Sequence, residues 1–243
     1  MKMIVANWKM QLGLKASVNL ARSLAKEKGS VVLCPSFPAL ESVSEALGKS
    51  GVQLGAQDVF FERAGAFTGE VSPEQLKELT CSHVIIGHSE RRVLGETDAV
   101  VNKKVIAVLS AGLTPIICVG ESTKERTSGK QKRVVGKQVK AALKSLHTRH
   151  QEQLIFAYEP LWAIGSGTPA TPPDAAAMHK LIRKTALEAI KGLKPKQVKV
   201  LYGGSVNGKN AGGFLDEPEI DGLLVGGASL KAATFKPILN AAR

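Results

Sequence analysis

Aromatic side chains are scarce. They make up 5% of the 243 residues, and no basic stretch is interleaved with them. A nucleic-acid groove needs stacking platforms among its cations, so a nucleic-acid partner is not expected, although the net charge is +12. No apolar run approaches the roughly 20 residues of a membrane span. Met1-Lys2 leads straight into an apolar strand pattern, so neither a membrane helix nor a secretory signal is expected. Cysteine is sparse and odd in number. Cys34, Cys81 and Cys118 lack metal-ligand spacing and read as reduced, buried thiols of a cytoplasmic protein. Linkers and low-complexity tracts are also missing. What is present, 44% apolar and 22% charged residues, suits a globular chain with an ample core. The densest basic stretch, Lys130 to Lys144, carries Val134, Val135, Val139, Ala142, Leu143 and Leu146 at helical spacing, as in a solvated outer helix with one buried stripe. The surplus of positive charge would help to attract an anionic substrate.

Short apolar runs recur at Met3–Ala6, Val31–Cys34, Val52–Ala56, Val84–Ile86, Pro115–Val119, Leu154–Tyr158, Val198–Tyr202 and Gly222–Val225. Longer segments with helical periodicity separate them: Leu40, Val43, Ala46 and Leu47 mark one, and Met178, Leu181, Ile182, Thr185 and Ala189 another. Ser72-Pro73-Glu74-Gln75 is a capping box with proline at the first helical position. Alternating strand and helix predicts an α/β fold with a parallel sheet. About eight such units in this length predict a closed (β/α)8 barrel forming one domain over residues 1–243. A doubly wound open sheet is the alternative, but Asn7-Trp8-Lys9 stands where its glycine-rich fingerprint would follow the first strand. The one long strand-to-helix loop, Asp58 to Val71, holds Phe60, Phe61, Ala66 and Phe67, which suggests a functional or interfacial role.

Several strands end in groups that can do chemistry. Leu154–Tyr158 delivers Glu159, after which Pro160 breaks the strand and an apolar loop with Trp162, Ile164, Gly165 and Gly167 follows. A carboxylate beside a greasy loop that can close over it is suited to act as a base shielded from water. The first strand delivers Asn7 and Lys9, and the fourth delivers His88 just before a polar helix start, whose dipole disfavours imidazolium. His83, His147, His150 and His179 lack such a setting and are expected at the surface. Leu201-Tyr202-Gly203-Gly204-Ser205 and Leu224-Val225-Gly226-Gly227 end in glycine pairs, which suit either tight turns or phosphate binding by main-chain donors. Cys118 reads as packing.

Together, Asn7-Trp8-Lys9, Gly87-His88-Ser89-Glu90-Arg91-Arg92 and Ala157-Tyr158-Glu159-Pro160-Leu161-Trp162-Ala163-Ile164-Gly165-Ser166-Gly167 closely resemble the triosephosphate isomerase family, over the whole chain. The resemblance implies a TIM barrel that interconverts dihydroxyacetone phosphate and D-glyceraldehyde 3-phosphate through an enediolate, without cofactor or metal. It implies Glu159 as the base, His88 as a neutral electrophile, Lys9 as the stabilising cation and Asn7 as its assistant. Gly165, Ser205, Gly226 and Gly227 would hold the phosphate, and Glu90 would pair near Lys9. Ile164 and Leu224 would cage Glu159 and strengthen it as a base. Gly65 to Glu70 would insert into a second subunit, giving a homodimer. Three departures stand out: Gln11 for the common Asn, Ser166 for the usual Thr, and Thr168-Pro169-Ala170 at a hinge that usually begins with Lys. A barrel aldolase would need a reactive lysine on the sixth strand, where Glu159 stands. A scaffold protein would have no need of all four of Asn7, Lys9, His88 and Glu159.

Overall fold

The computed structural model describes residues 2–146, 153–164 and 169–243. In chain order the first half runs β1 (Met3–Asn7), α1 (Leu14–Leu24), β2 (Ser30–Cys34), α2 (Leu40–Leu47), β3 (Gln53–Ala56), α3 (Pro73–Glu78), β4 (Cys81–Ile86), α4 (Ser89–Val93), α5 (Asp98–Ser110) and β5 (Thr114–Val119). The second half runs α6 (Thr123–Thr127), α7 (Gln131–Ala142), β6 (Leu154–Tyr158), α8 (Pro172–Ala189), β7 (Val198–Tyr202), α9 (Ala211–Leu215), β8 (Gly222–Val225) and α10 (Ala232–Ala241). The strands pair in parallel in sequence order, and β8 returns to β1 with Met3 opposite Gly222 and Ala6 opposite Val225. The sheet is therefore a closed TIM barrel, and the open-sheet alternative is excluded. No helix among the described residues is long and apolar enough to cross a membrane.

Period-two alternation explains why the strands read as continuous apolar runs. Met3, Val5, Val32, Ile85, Ile116, Ile155 and Leu201 fill the barrel interior. Their neighbours Ile4, Ala6, Val31, Leu33, Val84, Ile117, Phe156 and Val200 point outward and pack under the helices. Both faces are buried, as expected for parallel strands flanked by helices. The capping box forms as expected: Gln75 N–H donates to Ser72 Oγ at 3.3 Å, and Ser72 N–H to Gln75 Oε1 at 2.9 Å. β4 extends furthest beyond its apolar run. β4 begins at Cys81 because Ser82 and His83, polar in sequence, find internal partners: Ser82 Oγ donates to the Leu54 carbonyl at 3.0 Å and lies 2.8 Å from His83 Nδ1.

The long loop after β3 starts on buried charge. Asp58, only 5% exposed, lies 2.6 Å from Lys104 Nζ and 2.7 Å from Arg91 Nε, and Lys104 also pairs with Glu96. Burial pushes the Asp58 carboxyl up from its ordinary value, with Lys104 and Arg91 pulling it back. The loop closes on itself where Phe60 N–H donates to the Val71 carbonyl at 2.8 Å, and the Phe60 ring stacks on Phe61 and packs at a tilt against Phe67.

Two histidines are not where the sequence suggests. His83 and His179 are buried, His179 completely, while His147 and His150 lie outside the described residues. His83 belongs to the hidden first half of β4, and His179 falls on the core stripe of α8, edge-on to Tyr158. Burial, with help from Lys199, lowers the His83 pKa to about 4. Burial lowers that of His179 to about 3, although the Glu219 main chain pulls the other way. Both rings are neutral in the fold and bind protons more readily once unfolded. Their contribution is therefore intact above about pH 6.5 and is lost as pH falls toward the folded values. Each tenfold difference in proton affinity between the folded and unfolded ring is worth about 1.4 kcal/mol of stability. Urea midpoints are expected to fall between pH 6.5 and 4, and less steeply in His179→Gln, whose side chain does not titrate. Parallel pH profiles for the two proteins would contradict this.

Candidate active site

The site begins with a sharp turn after β1. Lys9 holds a positive φ of 52°, costly for a residue with a side chain. Three contacts impose it: Lys9 N–H donates to Asn7 Oδ1 at 3.0 Å, Trp8 N–H to the Cys34 carbonyl at 3.1 Å, and Gln57 Nε2 to the Lys9 carbonyl at 2.9 Å. The turn sends the Lys9 ammonium back over the barrel mouth, 2.7 Å from Glu90 Oε1. Gln57, which also donates to the Cys34 carbonyl at 2.9 Å, escapes sequence reading because only the fold brings β1, β2 and β3 to one point.

At the end of β6, Glu159 N–H donates to the Val119 carbonyl at 2.8 Å, which aims the side chain inward. Its carboxylate is 2% exposed and has two partners from the β4 end: Ser89 N–H donates to Oε2 at 2.9 Å, and His88 Nε2 lies 3.0 Å from Oε1. The main chain passes so close to β5 that a Cβ at Gly120 would sit 1.8 Å from the Glu159 carbonyl oxygen. Gly203 serves the side chain in the same way, since a Cβ there would come 3.1 Å from Glu159 Cγ. Beyond Pro160 the loop stem is anchored to Glu121, a fully buried carboxylate. Tyr158 OH and Trp162 Nε1 donate to its Oε1 at 2.9 and 3.0 Å, and Arg126 lies over the Trp162 ring. Gly165 and the rest of the loop to Thr168 lie outside the described residues.

Two influences compete for the His88 proton. Glu90 N–H donates to Nδ1 at 3.2 Å, so that nitrogen accepts and Nε2 carries the hydrogen of a neutral ring. Burial also favours the neutral form, but the Glu159 carboxylate, with a smaller push from Glu90, outweighs burial and raises the His88 pKa. The expectation of a neutral imidazole thus meets an opposing charge that the sequence could not reveal. The contact joins two residues far apart in the chain, His88 and Glu159, and it persists only while Oε1 rests on Nε2. Cys118 also faces Glu159; burial, reinforced by that carboxylate, raises its thiol well above the ordinary value, so it stays protonated and is no nucleophile.

Asn7, Lys9, His88 and Glu159 line one cavity of about 260 Å³, together with Ile164, Leu224, Ser205, Gly226 and Gly227. Among the described residues, the N–H groups of Ser205, Gly226 and Gly227 donate to no other group. Unpaired main-chain donors beside an ammonium form a seat for an anion. A carboxylate, an imidazole N–H and a cation converge opposite that seat, a constellation for moving a proton next to a carbonyl on a small anionic molecule. Residues 2–242 match the family model described as triosephosphate isomerase.

The chain belongs to the triosephosphate isomerase family.

Individual triosephosphate isomerases agree with that assignment. The chain is 48% identical to the triosephosphate isomerase of Pelobacter propionicus, with 98% of this chain and 97% of the relative covered. It is 45% identical to that of Herpetosiphon aurantiacus and 43% identical to that of Aquifex aeolicus, with 98% of both chains covered in each case.

Proposed function

We propose that the protein interconverts dihydroxyacetone phosphate and D-glyceraldehyde 3-phosphate, an isomerisation used in glycolysis and gluconeogenesis. The observation that carries this reading is the 3.0 Å pairing of a buried carboxylate with His88 Nε2, opposite Lys9 and a set of free main-chain donors. The phosphate takes the N–H groups of Ser205, Gly226 and Gly227, with Gly165 read as a further donor. The substrate oxygens then lie between Lys9 and His88. Glu159 leaves Nε2 to reach the substrate, which frees that N–H for the carbonyl and removes the charge that raises the His88 pKa. The electrophile is therefore neutral when it acts. Glu159 takes a proton from C1 of the ketone, and the electron pair forms the enediolate, whose oxygen charge Lys9, Asn7 and His88 stabilise. The Glu159 carboxyl returns a proton to C2 while the C1 hydroxyl proton passes by way of His88 Nε2 to the C2 oxygen, giving the aldehyde. Ile164 and Leu224 keep water from the base, and Glu90 holds the Lys9 ammonium in position.

The same reading places the chain in the cytoplasm as one domain over residues 1–243, acting without cofactor or metal. It acts as a homodimer joined through the 58–71 loop. In support, Met10, Val93 and Leu94 are more than 80% exposed, and Phe67 on that loop is 43% exposed, an apolar set poorly suited to open water. Excising Phe67 to Glu70 is expected to give monomers with much reduced activity, because Thr68 would no longer brace the partner subunit's active site. Sedimentation of an intact, fully active monomer at micromolar concentration would contradict the dimer. The activity itself is tested by adding purified protein to dihydroxyacetone phosphate in the presence of a glyceraldehyde-phosphate dehydrogenase and its nicotinamide cofactor. Steady reduction of that cofactor is expected, and none would refute the assignment.

A further inference from the structure

The basic stretch noted in the sequence forms the outer helix α7, with Val135, Val139 and Ala142 as its buried stripe and the lysines exposed. Lys132, Arg133, Lys137, Lys140 and Lys144, all exposed, line one groove of about 840 Å³ between α7 and α8. Its apolar lining comes from Ala141, Leu143, Leu146 and Leu181. Among the described residues Glu188 is the one acid that lines it, and its carboxylate pairs with Lys184 instead. Among the described residues none of the five cations forms an ion pair.

This arrangement works against the helix that carries it. α7 has no acid in its first turn and no side-chain cap, while Lys132 and Arg133 sit at the end where the helix dipole already favours negative charge. Arg133, Lys137 and Lys140 follow one another at spacings of four and three, so like charges are neighbours along the helix. Gly136 lies in their midst and weakens a helix interior relative to alanine. A Cβ there would meet nothing within 4 Å, so the packing of this chain does not require the glycine. Uncompensated positive charge, a leucine-lined floor and an unfilled gap at Gly136 share one explanation: an occupant that is acidic, apolar on one side and able to approach the helix closely.

We propose that the groove between α7 and α8 docks an acidic, leucine-bearing helical segment of a partner protein. Such a segment would place carboxylates against the lysines and apolar side chains against the partly exposed Leu146 and Leu181. Its charge would also offset the unfavourable N-terminus of α7. Nucleic acid fits less well because no aromatic side chain lines the groove for stacking.

The test is fluorescence anisotropy on the whole protein with a labelled amphipathic peptide, about 18 residues of glutamate and leucine with the leucines at helical spacing. An all-glutamate peptide of equal length, a single-stranded DNA oligonucleotide and phosphatidylserine vesicles serve as competing probes. The amphipathic peptide is expected to bind at least about tenfold more tightly than any of the three. Lys137→Glu/Lys140→Glu should weaken it by at least about tenfold through charge, and Gly136→Leu by a similar factor by filling the gap. Both variants should keep isomerase turnover, which also reports that they are folded. Equal binding of the all-glutamate peptide, tighter binding of DNA or vesicles, no binding of any probe, or indifference to Gly136→Leu would each overturn the proposal.

Discussion

Glu159→Gln is expected to lower kcat by about 10²- to 10⁴-fold, the usual worth of a positioned base, with KM changed far less. An amide cannot accept the substrate proton, whereas the phosphate seat at Ser205, Gly226 and Gly227 is untouched. The fold should survive, because the Gln oxygen can still accept Ser89 N–H in the position that Glu159 Oε2 holds at 2.9 Å. What changes locally is the face toward His88, where an NH₂ would meet the Nε2 hydrogen. His88 then loses the charge that raises its pKa, so NMR titration should show the ring titrating lower in the variant than in the free wild-type enzyme. Near-normal kcat in Glu159→Gln would remove Glu159 from the mechanism.

Lys9→Met is the second large effect. On the proposed reading the ammonium faces both the phosphate and the developing enediolate charge, so both KM and kcat should suffer. Loss of one such electrostatic contact costs about 10²- to 10³-fold in kcat, and the phosphate contact adds to the loss in kcat/KM. Stability should hardly move, since Glu90 is 56% exposed and water replaces the lost partner. Lys9→Arg should not restore activity: a planar, forked guanidinium cannot occupy the point that the positive φ at Lys9 sets for an ammonium. A variant with unchanged kcat and only a raised KM would limit Lys9 to ground-state binding.

The barrel was legible because parallel strands buried on both faces leave uninterrupted apolar runs, and all eight runs are strands in the structure. The failures share one cause. His83 and His179 look like surface residues, because what covers them comes from elements distant in sequence: His83 is paired between Gly55 and Thr114, and His179 lies edge-on to Tyr158. The strand-end positions of Asn7, Lys9, His88 and Glu159 could be read from the motifs, and the fold brings all four to one cavity. The supports beneath them could not. Gln57 braces the Lys9 turn, Ser89 N–H holds the Glu159 carboxylate, and Glu121 anchors Trp162. Each acts through main-chain geometry or a contact between loops, and such contacts leave no local pattern of residue types.

The central claim is that Glu159 carries a proton between adjacent carbons of the substrate. Conversion of dihydroxyacetone phosphate in D₂O, with the aldehyde trapped by oxidation as it forms, tests it most directly. A proton held on a carboxyl group can exchange with solvent before it is returned, so NMR should find deuterium at C2 in part of the product, formed at a rate that falls with Glu159→Gln. Product formed at full rate with no deuterium at C2 would point to direct hydride transfer between the carbons and would contradict the account.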